Sequence, residues 1–294
     1  MTPWTTEQIP SQAGRTVVVT GANSGLGKQC AGALAAAGAR VVLAVRDRSR
    51  GEQAAATMTG QVEVRHLDLA DLASVRRFAE EWQGDLDVLV NNAGLMAVPP
   101  SRTVDGFERQ LGTNHLGHFA LTNLLLPVIT DRVVTVSSGL HRWGEIVLDD
   151  LNWERRRYSP YGAYGQSKLA NLLFTLELQR RLLVDGSSVL AVAAHPGYAA
   201  TNLQGHQGPV QNRLMALANR LFAQSDAQGA LPTLYAAVVD LPGGAYVGPD
   251  GFSEMRGHPT LVGRSAAASD LDVAARLWTA SEELTGVRYP ALQR

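Results

Sequence analysis

Residues 15 to 37 constrain the fold more than any other stretch. A short apolar run, Thr16-Val17-Val18-Val19-Thr20, leads into Gly21-Ala22-Asn23-Ser24-Gly25-Leu26-Gly27 and then into an Ala-rich segment. Val17 to Val19 are β-branched and too short a run for a helix, whereas Lys28 to Ala37 places Cys30, Ala33, Leu34 and Ala37 at helical spacing. The pattern reads as strand, glycine loop, helix. Glycines at 21, 25 and 27 permit dihedrals that a Cβ forbids and let a bulky anion approach the first amides of the helix, so a phosphate is the expected guest. The spacing G-x-x-x-G-x-G is not the signature G-x-G-x-x-G, so the loop alone does not identify its ligand.

The same alternation continues downstream. Buried strands are expected at Arg40 to Val45, Gln61 to Leu67 and Asp87 to Val90, with helices through Met58 and from Asp71 to Gln83 between them. A long helix is expected from Asp105 to Ile129, then a strand from Arg132 to Ser137, a helix from Tyr161 to Leu183 and a strand from Val189 to Ala194. The C-terminal part offers a helix (Ala227 to Val239), a strand near Ala245 to Val247, a Gly/Pro-rich loop and a last helix from Ala266 to Leu284. Such a chain builds an α/β fold, a doubly wound parallel sheet with helices on both faces that binds ligands beyond the carboxyl ends of its strands. At 294 residues with no dividing linker, one domain is expected. Two stretches break the rhythm. Leu140 to Pro160 is charged and aperiodic, a surface excursion, and 198–226 reads as a lid over substrate, with Leu214, Leu217, Ala218 and Leu221 on one side.

A net charge of −1 and 6% aromatic residues give neither the basic stripe nor the stacking residues of a nucleic-acid binder. Met1 to Glu7 lacks a secretory pattern, and no apolar run reaches the ~20 residues that span a bilayer, so a cytoplasmic protein without a membrane span is expected. Cys30 cannot form an internal disulfide and reads as core. His115 and His118 share a helix face without a third ligand nearby, so packing or hydrogen bonding is expected there rather than a metal. His141 and His195 are read either as substrate contacts or as loop hydrogen bonds.

Chemistry enters at Tyr164 and Lys168, four residues apart on one helix face. A phenol is a poor acid or base near neutrality, but a neighbouring ammonium stabilises phenolate and draws its pKa toward the working range. Of the 26 basic residues only Lys28 and Lys168 are lysine, so a lysine beside Tyr164 points to a need for a compact ammonium.

With these residues in view, the chain resembles the short-chain dehydrogenase/reductase family. Thr20 to Gly27 is similar to its T-G-x-x-x-G-x-G loop, Asn91 to Gly94 to its N-N-A-G motif, Ser137-Ser138 to the end of its fifth strand, Tyr164 to Lys168 to its Y-x-x-x-K and Pro196 to Thr201 to its P-G-x-x-x-T. The resemblance implies an oxidoreductase moving a hydride between nicotinamide and a secondary alcohol or carbonyl. Tyr164 would be the general acid/base, Lys168 would lower its pKa and bind the nicotinamide ribose, Ser138 rather than Ser137 would bind the substrate oxygen, and Asn114 would hold a relay water. It also implies cofactor contacts from Gly21, Asn23, Ser24, Gly25, Leu26 and Gly27, from Arg46, Asp68 and Leu69, from Asn91, Ala93 and Gly94, from Tyr164 and Lys168, and from Pro196, Gly197 and Thr201.

The 26 positions from Ser138 to Tyr164 are about twice the usual separation, and this longer form is similar to the retinol-dehydrogenase-like branch. NADP(H) is the expected cofactor because Arg46, rather than a carboxylate, closes the second strand; Asp47 reads as a helix cap or, alternatively, as a ribose ligand that admits NAD(H). The alternatives are a conjugated C=C reductase on the same scaffold and a catalytically silent nucleotide sensor, which should have lost the tyrosine or the lysine. The sequence leaves the oligomeric state open: the two long helices resemble the family's usual pairing helices, which would make a homo-oligomer, but the excursion could cover them.

Overall fold

The computed structural model describes residues 3–198 and 224–290. An eight-stranded sheet runs in the order β3-β2-β1-β4-β5-β6-β7-β8. Its strands are β1 (Thr16–Thr20), β2 (Arg40–Val45), β3 (Gln61–His66), β4 (Leu86–Asn91), β5 (Ile129–Val136), β6 (Leu190–Ala194), β7 (Tyr246–Pro249) and β8 (Pro259–Leu261). All neighbours pair in parallel except β7 and β8. The antiparallel β8 lies in what reads from sequence as a Gly/Pro-rich loop, because three residues beginning with proline carry no alternation.

Alternate strand residues separate into two cores, which is why the strands read as continuous apolar runs. Val18, Val42 and Leu89 face one layer, built from α3 (Leu72–Glu80), α5 (Gly117–Leu125), α6 (Pro160–Val184) and α8 (Leu271–Thr285). Val17, Val19 and Val41 face the other, with α1 (Gly25–Ala36), α2 (Arg48–Ala55) and α7 (Asp226–Val238). Cys30 lies in this second core at 1% exposure, and burial pushes its thiol up to about 12. It is an inert packing residue.

Helix starts follow side-chain chemistry. Asp47, Asp71, Ser159, Ser225 and Asp270 each accept a first-turn amide of α2, α3, α6, α7 and α8. Ser24, ahead of α1, makes no such bond, so the N-terminal amides of that helix face the glycine loop without a side-chain acceptor.

The helix expected from Asp105 to Ile129 is interrupted. It starts at α4 (Arg109–Leu111), because Asp105 Oδ2 accepts from Leu72 N and Glu108 caps Gln110 and Leu111. A π-helical turn at Gly112–Leu116 then precedes α5. The excursion is also not a loose surface segment. Asp150 organises it from within, accepting the amides of Glu154, Arg155 and Arg156, while Leu151 enters the core at 5% exposure.

The face of α5 and α6 that resembles a pairing surface is covered by the chain's own α8. Trp278 stacks on Phe174 at 5.5 Å and meets Phe119 edge-on at 4.9 Å, with Arg181 over its ring. Trp278→Ala should therefore destabilise the fold by ~3–5 kcal/mol. Chemical denaturation checks this, and a midpoint close to that of the parent chain would show that α8 does not belong to the cooperative core.

Candidate active site

The carboxyl ends of β1, β4 and β5 meet at the point where strand order reverses, the expected location of a ligand crevice. Thr20 Oγ1 accepts the amides of both Asn92 and Ala93 at 2.9 Å, and Asn92 Nδ2 returns a bond to Thr20 O at 2.8 Å. The three glycines of the loop do different work. Gly21, at φ +67°, brings the loop so close to β4 that a Cβ would lie 2.9 Å from Ala93. A Cβ on Gly27 would collide with Asn92 Nδ2, so its absence seats α1 on the sheet. Gly25, at φ +56°, faces open space. Open backbone at Gly25, partly exposed Asn23, Ser24 and Leu26, and the uncapped start of α1 form a cradle that fits a cofactor diphosphate.

Beyond β5 the two serines part. Ser137 is buried and donates to Lys168 O at 2.8 Å, a packing role. Ser138 Oγ accepts from Leu140 N at 3.2 Å, and this half-buried hydroxyl is the group that draws the Tyr164 phenol downward. Tyr164 is 6% exposed, and burial pushes its phenol up to about 12 against the opposing pull of Ser138. Lys168 Nζ donates to Val136 O at 3.0 Å and lies 5.7 Å from the Tyr164 ring centroid; burial lowers the ammonium to about 8. The expected depression of the Tyr164 pKa by Lys168 is thus absent in the protein alone. Desolvation dominates both groups: it keeps the phenol protonated and brings the ammonium down toward neutrality without discharging it at pH 7.

Asn114 lies in the π turn, and its side chain is a clamp. Oδ1 accepts Leu95 N at 2.8 Å, while Nδ2 donates to Leu95 O and Ser167 Oγ, each at 2.9 Å. Both amide hydrogens are engaged, so the side chain has no donor left for a relay water. Gly94 passes between this clamp and the lysine: a Cβ there would stand 3.3 Å from Asn114 Oδ1 and 3.5 Å from Lys168 Nζ.

Other sequence-predicted residues spread around the crevice. Arg46 is exposed just past β2, and its guanidinium has no partner among the described residues. Asp47 Oδ1 caps Arg50 N at 3.1 Å, in keeping with its reading as a helix cap. Asp68 Oδ1 accepts Ala70 N at 2.9 Å, and Leu69 is buried against α5. Asn91 turns its amide into the core toward Thr122 at 2.8 Å, leaving only its backbone for a ligand. Pro196 and Gly197 follow β6; Thr201 and nearly all of the 198–226 stretch lie outside the described residues. His141 and His195 both make loop hydrogen bonds, Nδ1 of His141 to Ser138 O at 2.7 Å and Nε2 of His195 to Glu254 at 3.0 Å.

One contributor is missed by sequence reasoning. His118 Nδ1 bonds Asn114 O at 3.0 Å, which places the hydrogen on Nδ1 and leaves Nε2 to accept from Thr20 Oγ1 at 2.9 Å. A motif search weighs His118 only against His115, which instead meets Ser281 at 3.0 Å; neither imidazole faces the other's partner.

Comparison with known proteins gives the family. Residues 15–212 match the short chain dehydrogenase family. Human retinol dehydrogenase 13 is 42% identical, over 97% of this chain and 89% of its own. A crystal structure of an uncharacterized protein from Mycobacterium Paratuberculosis is 59% identical with a TM-score of 0.87, covering 98% of this chain and 100% of that one. The Pseudomonas aeruginosa RhlG/NADP complex, 26% identical, superposes with a TM-score of 0.63 over 80% of this chain and 94% of that one. The chain belongs to the short-chain dehydrogenase family. Within it the chain is retinol-dehydrogenase-like, an oxidoreductase of the CH–OH/C=O class that uses NAD(P)(H). Among the described residues no helix is long and apolar enough to cross a membrane.

The buried histidines set an acid limit to stability. Burial lowers His115 from 6.5 to about 4 and His118 and His195 to about 3, so each is neutral when folded. The unfolded chain protonates them near 6.5. Their contribution is therefore complete above pH 6.5 and is lost as pH falls toward 4 and then 3. The melting temperature should drop through this window, and His118→Asn should remove about one proton from the uptake on unfolding. Calorimetry at several pH values checks this; unchanged proton uptake would contradict it.

Proposed function

We propose that this chain is a single-domain, NADP(H)-preferring oxidoreductase that interconverts a secondary alcohol and its carbonyl, with Tyr164 as general acid/base. The observation that carries the reading is the convergence of Ser138, Tyr164 and Lys168 beside an open glycine cradle at the carboxyl ends of β1, β4 and β5. A bound nicotinamide supplies or receives the hydride. The Ser138 hydroxyl donates to the substrate oxygen and orients it, and Tyr164 delivers the proton to that oxygen in the reductive direction. Burial holds the resting phenol protonated, at about 12, and Ser138 is the group that pulls it back toward the working range. Lys168 has ammonium hydrogens beyond the one given to Val136 O, and these would bind the nicotinamide ribose. The substrate is a small molecule. Retinol dehydrogenase 13 is named for an alcohol, and we extend only that class to this chain.

Tyr164→Phe removes the transferable proton and little else. It should bind NADP(H) as the parent chain does while turnover falls by ~10²–10⁴. Single-turnover assays on a panel of ketones and aldehydes measure this, and turnover at the parent rate would remove Tyr164 from its role.

Cofactor choice rests on Arg46. Its free guanidinium beyond β2 suits a 2′-phosphate, and Asp47 is occupied by its cap. If the contact contributes about 1.5–3 kcal/mol, kcat/KM should favour NADPH over NADH by at least about tenfold. Arg46→Ala should abolish most of that preference. Equal kcat/KM for the two cofactors in the parent chain would instead point to Asp47 as a ribose ligand.

A further inference from the structure

The β7–β8 hairpin holds a strained tip that the proposed chemistry does not use. Ser253 and Glu254 both have left-handed backbone, with φ of 52° and 56°, a conformation unfavourable to residues that carry a Cβ. The surroundings enforce it. Asp250 N bonds His258 O at 2.8 Å, Gly251 N bonds Arg256 O at 3.0 Å, and Met255 O accepts Tyr198 N at 2.7 Å. Such strain persists only where the neighbouring structure over-determines it, and it gathers at functional sites.

What the strained backbone achieves is the placement of one carboxylate. Glu254 Oε2 accepts from His195 Nε2 at 3.0 Å, and Oε1 accepts from Arg142 Nη2 at 3.2 Å. The His195 ring is buried and its tautomer is set: Nδ1 accepts Gly197 N at 3.2 Å, so the hydrogen resides on Nε2. The hairpin is shaped around this ring, because a Cβ on Gly248 would run into Nε2. On its other side Arg142 belongs to the 3₁₀ turn Gly139–Trp143, directly after Ser138, and also bonds Gly263 O at 3.1 Å. A single carboxylate thus joins the turn after β6 to the turn after β5.

We infer that Glu254 is a positioning residue for the nicotinamide half of the cofactor. Through His195 it orients the Gly197 amide and the Pro196–Tyr198 turn, and through Arg142 it fixes the turn behind Ser138. The inference rests on the reading that Pro196 and Gly197 flank the nicotinamide. A residue kept for packing alone would be improved by glycine, which holds this φ without strain.

The test compares Glu254→Gly and Glu254→Gln with the parent chain by melting temperature and by calorimetric affinity for NADPH and for 2′-phospho-ADP-ribose, which lacks the nicotinamide. Glu254→Gly relieves the backbone strain while leaving His195 Nε2–H without its acceptor, so it should stay folded with a melting temperature near the parent's and bind 2′-phospho-ADP-ribose equally well, yet bind NADPH about tenfold more weakly. Glu254→Gln keeps an acceptor for His195 and should recover most of that affinity. If the glycine variant does not fold, Glu254→Asn, tolerant of left-handed backbone but shorter, should give the same selective loss. Parent-like NADPH affinity in the folded variant, or equal loss of both ligands, would overturn the inference. A parent chain that binds no NADPH would remove the cofactor reading and this inference together.

Discussion

The crevice depends on one buried hydroxyl. Thr20 Oγ1 takes the amides of Asn92 and Ala93 and faces His118 Nε2, so the glycine loop, the end of β4 and the start of α5 are all referenced to a single atom. Thr20 is fully buried, where partners left unsatisfied cost about 1–3 kcal/mol each. Burial also fixes the logic of the contact. His118 is neutral, its Nδ1 hydrogen goes to Asn114 O, and Thr20 must therefore be the donor toward Nε2. The carbonyl of Asn114 and the strand that begins the glycine loop are thus two contacts apart, although 94 positions separate them in the chain.

How much of this was legible in the sequence differs by level. Strand alternation with helices gave the doubly wound sheet, because strands buried on both faces leave long apolar runs whatever their neighbours are. The order of motifs assembled Ser138, Tyr164 and Lys168 at one place. What the sequence did not disclose depends on pairwise geometry. The π turn at Gly112–Leu116 lies within a segment whose apolar pattern fits an unbroken helix, and the displacement of its start to Arg109 depends on where Asp105 and Glu108 find amides. The loop itself is legible in Pro249-Asp250-Gly251, but the left-handed backbone at Ser253 and Glu254 is not, since neither is a glycine or asparagine.

The protonation chemistry shows a subtler gap. A tyrosine and a lysine one turn apart suggest a mutual stabilisation of charge, and that inference ignores the solvent each loses. Both are almost fully buried, and the lysine ammonium is directed at the Val136 carbonyl rather than at the phenol oxygen. With the two pKa values displaced toward neutrality of charge, the resting pair holds its protons as an acid rather than as a phenolate base. Ser138 is the group that pulls the phenol downward, which gives the hydroxyl a second task besides holding the substrate oxygen.

The long interval between Ser138 and Tyr164 is best understood from where it touches α6. Gly144 packs so closely on Gly165 that a Cβ on either would meet the other's backbone, and a Cβ on Gly162 would stand 2.8 Å from the Trp153 ring. Gln166 Nε2 donates to Leu151 O at 2.8 Å, and Arg156 bonds the other side of the same amide. Tyr158 joins Glu108 at 3.1 Å and Gln110 at 3.0 Å, fastening the excursion to α4 as well. These contacts fall at residues 162, 165 and 166, on both sides of Tyr164 in the first turns of the helix. The excursion is thus packed and hydrogen-bonded to the turns of α6 that carry Tyr164.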